Sequence, residues 1–214
     1  MLAVPMDLEA QLAELAALGL ALEAGITADD LLRAYSRKEY EERPFDLLLS
    51  VLGQEAVDVS PATYEGRPDL LLAALKADGE REPWSKPFCR GVWHFDPECI
   101  EDSGSYVTVV NQLVRVAGAS RRVSNVRASR ALRLGLGWVE YSLDGDPRRW
   151  RIAVDGDWVD REVVSHVMAD LEAGGRRFYG KDSGQAMVLL YLDEATAAQI
   201  NRLSGNALAP VLSR

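Results

Sequence analysis

The sequence predicts an α+β fold: an acidic helical N-terminal portion followed by a mainly antiparallel sheet with helices packed on one face. Leucines recur at helical spacing through residues 8–52. From residue 92 onward, short apolar runs alternate with turn signals, which favours hairpins and an antiparallel sheet. Charge follows the same division. Residues 1–86 carry 17 Asp and Glu against 8 Lys and Arg, whereas residues 87–214 carry 16 of each. The formal charge of −9 therefore lies within residues 1–86. The 214 residues suit one large domain or a domain with a helical annex. The expected division is a helical portion at 1–77, a linker or wrapping segment at 78–91, and a sheet domain at 92–214.

The elements follow from local signals. Leu8, Leu12, Leu15, Leu18 and Leu22 make residues 7–23 an amphipathic helix that Gly25 stops. Thr27 caps a second helix running to about Ser36, with Asp29 and Asp30 at its positive end. Pro44 suits the first turn of a third, from Phe45 to Leu52, closed by Gly53. Residues 54–69 read as irregular or weakly paired, and Leu70–Leu75 as a short helix. Gly79, Pro83, Pro87 and Gly91 mark the linker.

Val92–Phe95 follows as a strand, and Asp96-Pro97 as a helix start. The Tyr106, Val109, Val110, Leu113, Val116 pattern predicts a helix over 105–117. Strands are expected at 121–128 and 136–143, then a turn at Asp144-Gly145-Asp146-Pro147. The return strand places Trp150, Ile152 and Val154 on one side, and Arg149, Arg151 and Asp155 on the other. A helix over 161–172 capped by Asp157 or Asp160, strands at 176–180 and 186–192, a helix at 194–203 and a strand at 207–212 complete the chain.

Composition narrows the function. A net charge of −9 argues against general nucleic-acid binding, which needs surplus Lys and Arg, and suits a basic protein partner. Residues 1–25 contain no Lys or Arg, and no apolar run approaches the ~20 residues that span a bilayer. No membrane association is expected. Cys89 and Cys99 make no disulfide framework, so a cytoplasmic protein with reduced thiols is expected.

Four stretches carry a resemblance: ITADDLLRAYSRKEYEERPFDLLLSVLG at 26–53, VWHFDPECIEDSGSYV at 92–107, VDGDWVD at 154–160 and SGQAMVLLYL at 183–192. Together they resemble a family of uncharacterised bacterial proteins, some of which are immunity proteins of toxin systems. The resemblance implies a shared α+β fold and, by association, a role in binding a toxin. It brings no catalytic residues with it.

Several constellations suggest chemistry, each with a plainer explanation. Cys89, His94 and Cys99 have the spacing C-x4-H-x4-C, and zinc takes such ligands, with His166 or Glu98 as a fourth. The paired C-x-x-C of structural zinc sites is missing, and buried thiols explain the cysteines. Glu162, His166 and Asp170 share one helical face and suit a general base, or equally a solvated surface. Asp155, Asp157 and Asp160 suit a divalent cation, or turn formation and capping. The pair Gly135 and Gly137 precedes a strand, the wrong context for a dinucleotide fingerprint, and no G-x-S-x-G motif occurs. Residues 103–139 hold six arginines and no acid. They suit phosphate clamping, but pairing with the surplus acids of residues 1–86, within the chain or between two copies, is preferred.

The reading is a non-enzymatic protein-binding module with no cofactor, possessing an acidic surface for a basic partner. Its expected contact residues are Asp29, Asp30, Glu39, Glu41 and Glu42, and separately Asp155 and Asp157. The alternative is a metal-dependent enzyme or metal-stabilised domain built on Cys89, His94, Cys99 and His166 with nearby carboxylates. Self-association through complementary charges is the third reading.

Overall fold

The computed structural model describes residues 6–57, 85–129 and 137–211. The helix expected at 70–75 and the linker before residue 85 lie outside them. Asp7 starts α1 (Leu8–Ala17) by accepting the Ala10 N–H at 2.7 Å. The helix stops well before Gly25. Gly19 takes φ +86°, and the Gly19 and Leu20 N–H groups donate back to Ala16 and Leu15, a Schellman close. Leu18, Leu20 and Leu22 therefore pack from a loop. Thr27 caps α2 (Ala28–Leu31) as expected, in a capping box with Asp30. A separate helix, α3 (Arg37–Glu42), opens at a second box between Ser36 and Glu39. Next, α4 (Asp46–Leu52) follows Phe45, whose φ is +64°, and closes at Gly53.

Main-chain pairing then begins in the segment expected to be irregular or weakly paired. Strand β1 (Glu55–Val57) pairs antiparallel with β2 (Ser85–Pro87). Strand β3 (Val92–Phe95) follows, but Asp96-Pro97 starts no helix. The Asp96 carboxylate accepts the Glu98 N–H in a local turn instead. Asp102 caps α5 (Ser103–Val116) by accepting from Gly104 and Ser105. Strands β4 (Val123–Ala128), β5 (Gly137–Leu143) and β6 (Asp146–Ile152) form an antiparallel meander. The β5–β6 turn needs only Asp144 and Gly145, at φ +52° and +92°, so Asp146 and Pro147 join the strand. Asp160 caps α6 (Arg161–Leu171). A long hairpin, β7 (Arg176–Ser183) and β8 (Ala186–Asp193), leads into α7 (Glu194–Ser204) and β9 (Ala209–Pro210).

The fold is α+β, with helices first and antiparallel sheets after. The later strands divide into two sheets, β3-β8-β7-β9 and β4-β5-β6. The four-stranded sheet is covered on both faces. Val188, Leu190 and Leu192 of β8 point into one core with α1, α4 and α7, while Leu189 and Tyr191 point into another. That second core lies between the two sheets and is filled by α5 and α6. The outer face of the three-stranded sheet carries Trp138, Glu140 and Ser142, which alternate with the buried Val139, Tyr141 and Leu143.

Three joints hold the helical layer. Gln11 is fully buried; its amide donates to the Met6 and Tyr40 carbonyls and accepts the Phe45 N–H. Gly53 abuts β3, and its carbonyl accepts the His94 N–H at 2.6 Å. Lys181 reaches from β7 to the Asp46 carboxylate at 2.9 Å and to Ser50 at 3.0 Å. Burial pushes the Asp46 carboxyl pKa up, but the hydrogen bond and charge of Lys181, aided by Arg43, outweigh it and hold the pKa below its ordinary value.

A group whose pKa is depressed on folding stabilises the fold above its unfolded pKa. That stabilisation is lost as pH falls through the folded value. The contribution of Asp46 is therefore whole at neutral pH and lost below about pH 4. Lys181→Met is expected to cost about 1–2 kcal/mol at neutral pH, below the usual figure for a buried pair because Asp46 is one-third exposed and keeps Arg43. Chemical denaturation at pH 7 and pH 3 checks this: the difference between wild type and variant should shrink at the lower pH.

Candidate binding surfaces

The acidic residues singled out in the helices lie together on one layer. Residues 6–57 hold eleven acids against four bases. Asp29, Glu39 and Glu42 are exposed, and Asp30 and Glu41 are half-buried. Local structure engages three of them. Asp30 accepts from Thr27 and lies 3.6 Å from Arg33, Glu39 accepts from Ser36, and Glu42 lies 3.4 Å from Lys38. The Ser36 side chain and backbone together lower the Glu39 carboxyl pKa. Arg37 binds Glu9 and also feels the charges of Glu41 and Asp29, so one guanidinium serves three carboxylates from three segments.

Arg130 and Arg133 lie outside the described residues, and two of the described arginines of residues 103–139 pair with acids of the sheet portion. Among the described residues, Arg122 pairs with Asp144 at 3.0 Å, Arg127 pairs with Glu140, and Arg115 donates to the Arg90 and Val92 carbonyls. Arg149 also reaches Glu140 at 3.3 Å and lies over the Trp138 ring at 4.2 Å. Chain order explains the pairing at Glu140: strand register puts Arg127 and Arg149 on either side of Glu140, within reach before any distant acid. Among the described residues, Arg90 pairs with Glu23 and Lys181 with Asp46 of the helical layer.

The candidate metal ligands are dispersed. Cys89 belongs to the core beneath the helices and Cys99 packs on the core between the sheets. His94 shares the Val92 side of β3, and His166 is on α6. Among the described residues, no three His, Cys, Asp or Glu side chains converge in a geometry that suits a metal ion. Burial raises both thiol pKa values to about 11, away from the thiolate form that metals and electrophiles need. Likewise Glu162, His166 and Asp170 do not act as a set. Asp170 accepts the Tyr141 O–H at 2.6 Å and lies 3.4 Å from Arg148, while His166 stacks on Trp150 at 4.0 Å. Trp150 in turn donates to the Tyr141 oxygen at 3.1 Å. Burial and the Asp170 hydrogen bond raise the Tyr141 pKa well above the ordinary tyrosine value. The group clasps α6 to the three-stranded sheet.

Asp155 and Asp157 lie apart from the acidic helices, exposed in a tight turn after β6. The strand pattern ends at Ile152, so Val154 is 43% exposed rather than buried beside it. The turn closes through Trp158 N–H to the Asp155 carbonyl at 3.0 Å, and Gly156 at its tip takes φ +60°. Asp160 secures its base by accepting the Ala153 N–H, and Val159 and Asp157 bond to Pro97 and Ile100. Trp158 stays 37% exposed.

Beside this turn, a cleft of about 490 Å³ opens between α6 and the end of the four-stranded sheet. Its floor is Phe95, Val164, Met168 and Leu189, all buried core residues. Val159 and Pro97 form the wall next to the turn. Met187, 37% exposed, forms the far rim. Its thioether lies over Gly180: a Cβ on that glycine would sit 2.5 Å from the sulfur. Arg161 and Asp182 are the charged groups in the lining. The volume is in the range of ligand-binding clefts. Sequence reasoning missed the cleft because its lining comes from residues far apart in the chain. The one legible trace was Met187, an apolar residue at the exposed start of a buried strand.

No known protein family matches the chain, and neither the curated proteins nor the solved structures include one that resembles it.

Proposed function

We propose that this chain is a protein-binding module that meets a basic partner through its acidic helical layer. The observation that carries the reading is the surplus of seven negative charges in residues 6–57, while Arg122 and Arg127 of the arginine-rich stretch pair with Asp144 and Glu140 of the sheet portion. Such a face raises the encounter rate with a basic surface and repels acidic ones. An immunity role against a basic toxin domain is the instance that the sequence resemblance implies. Asp29, Glu41 and Glu42 are the contact residues to test, because none of them caps a helix.

The test is capture from host lysate with wild type and with the triple variant Asp29→Lys, Glu41→Lys, Glu42→Lys. Capture is run at about 0.1 M salt, where the Debye length is about 10 Å, and at about 1 M, where it is about 3 Å. A basic protein near one-to-one, retained by wild type at low salt and lost by the variant or at high salt, is the expected outcome. Capture of nothing salt-sensitive, or equal capture by the variant, overturns the reading. Among the described residues no helix is long and apolar enough to cross a membrane.

A further inference from the structure

We propose that the outer face of the three-stranded sheet receives the acidic helical layer of a second copy of this chain, in a weak head-to-tail contact. The proposal rests on the reading of that layer as a surface for a basic partner, and names one such partner. The division of charge across the layers of the fold points to it. Register places Arg127 of β4 and Arg149 of β6 on either side of Glu140, and Arg151 of β6 opposite Trp138. Cross-strand partners share a face, so all five residues belong to the outer face. Three guanidiniums thus stand with one carboxylate, on a chain whose formal charge is −9. Arg127 and Arg149 have side chains 72% and 60% exposed. Arg127 gives Glu140 its Nε, and Arg149 gives it one terminal nitrogen. Their other guanidinium N–H groups have no acceptor among the described residues, and exposed Arg151 has no ion pair among them. The Trp138 ring holds Arg149 at 4.2 Å without using its donors. Free guanidinium forks of this kind take carboxylates with two hydrogen bonds at once.

The occupant follows from where the charges lie. The helical layer packs on one face of the four-stranded sheet, and the core with α5 and α6 lies against its other face. The three-stranded sheet closes that core, so its outer face is turned away from the helices. Two sheets and a core therefore keep these arginines from the acidic layer of their own chain. A second copy brings the two surfaces together. Residues 6–57 carry seven surplus negative charges, and three arginines less Glu140 leave the outer face two surplus positive ones. Layer against face attracts, whereas layer against layer and face against face repel. The layer offers Asp29, Glu41 and Glu42, none of which caps a helix. Because the contact joins two different surfaces, it extends into chains or rings instead of stopping at a two-fold dimer. A face of three short strands is small beside the roughly 800 Å² per partner of a standard interface, so the association is weak.

The experiment is sedimentation velocity of the purified full chain over rising concentration, at about 0.1 M and about 1 M salt. Growth of the sedimentation coefficient with concentration at low salt, lost at high salt, is expected. The face variant Arg127→Glu, Arg149→Glu, Arg151→Glu and the layer variant Asp29→Lys, Glu41→Lys, Glu42→Lys should each weaken self-association by about tenfold or more. Mixed in equal amounts, the two variants should associate again, because the acidic layer of one meets the intact arginine face of the other. Arg151→Glu alone, which leaves Glu140 both its partners, is the milder face variant should the triple one not fold, and it should weaken association severalfold. A chain that stays monomeric at low salt, association that survives high salt, undiminished association of the folded variants, or a mixture that stays monomeric overturns the proposal. Capture of a basic lysate protein by a chain that does not self-associate overturns this inference alone. Self-association of a chain that captures nothing overturns the lysate reading alone.

Discussion

Replacing Gln11 with alanine is expected to destabilise the protein by about 3–5 kcal/mol, a large share of a typical domain's total. The side chain is fully buried, and it satisfies three main-chain groups from three segments. Alanine strands the Phe45 N–H and the Tyr40 carbonyl without water, at about 1–3 kcal/mol for each buried unsatisfied group, and leaves a cavity besides. Phe45 adds to the effect because its φ of +64° is unfavourable for a side chain with a Cβ, and Gln11 is its hydrogen-bond tether. Gln11→Leu separates the two contributions. It restores volume but not hydrogen bonds, so it should remain nearly as unstable as the alanine variant. Urea unfolding measures both; a leucine variant as stable as wild type would show that packing, not polar satisfaction, sets the value of this residue.

The second large effect is expected at Gly53. Its φ of −77° suits any residue, so the requirement is space. A Cβ there would meet the His94 nitrogen at 2.7 Å and the Trp93 carbonyl carbon at 3.0 Å. Both are backbone atoms of a strand paired along its length with β8, and neither can rotate away. Gly53→Ala should cost about 2 kcal/mol, which lowers Tm by roughly 4–8 °C in a chain of this size. Gly91→Ala is the matched control, since its new Cβ meets only the Leu20 side chain at an ordinary 3.5 Å. Calorimetry of the pair reads the difference directly; equal melting of the two variants would sink the close-approach argument.

Local signals were legible wherever one residue satisfies one backbone requirement. Thr27, Asp160 and the Asp144-Gly145 turn all act at or next to their expected places. The Ser36-to-Glu39 capping box was present in the sequence and went unread, because the periodicity from Thr27 onward suggested a single helix. The α1 stop was misplaced because two glycines compete, and tertiary packing of Leu20 selects Gly19. The division of the strands into two sheets was not legible, since hairpin signals identify neighbours and say nothing about which hairpins share a sheet. One clue existed: Val188 to Leu192 is apolar without alternation, as a strand covered on both faces must be. Among the candidate site residues, Asp29 and Glu41 both feel the charge of Arg37, while Asp30, Glu39 and Glu42 are engaged by Thr27, Ser36 and Lys38. Cys89 and His94 belong to the helical side of the four-stranded sheet, and Cys99 and the helix bearing His166 to its other side.

Covering both faces of β8 has a consequence for how the chain is made. Synthesis releases the N-terminal helices first, but their buried leucines rest on Val188, Leu190, Leu192, Ile200 and Leu208. At about 5–20 residues per second, those partners follow the helices out of the ribosome only many seconds later. Throughout that interval the leucine faces have no floor, and net negative charge in the same segment favours its solubility.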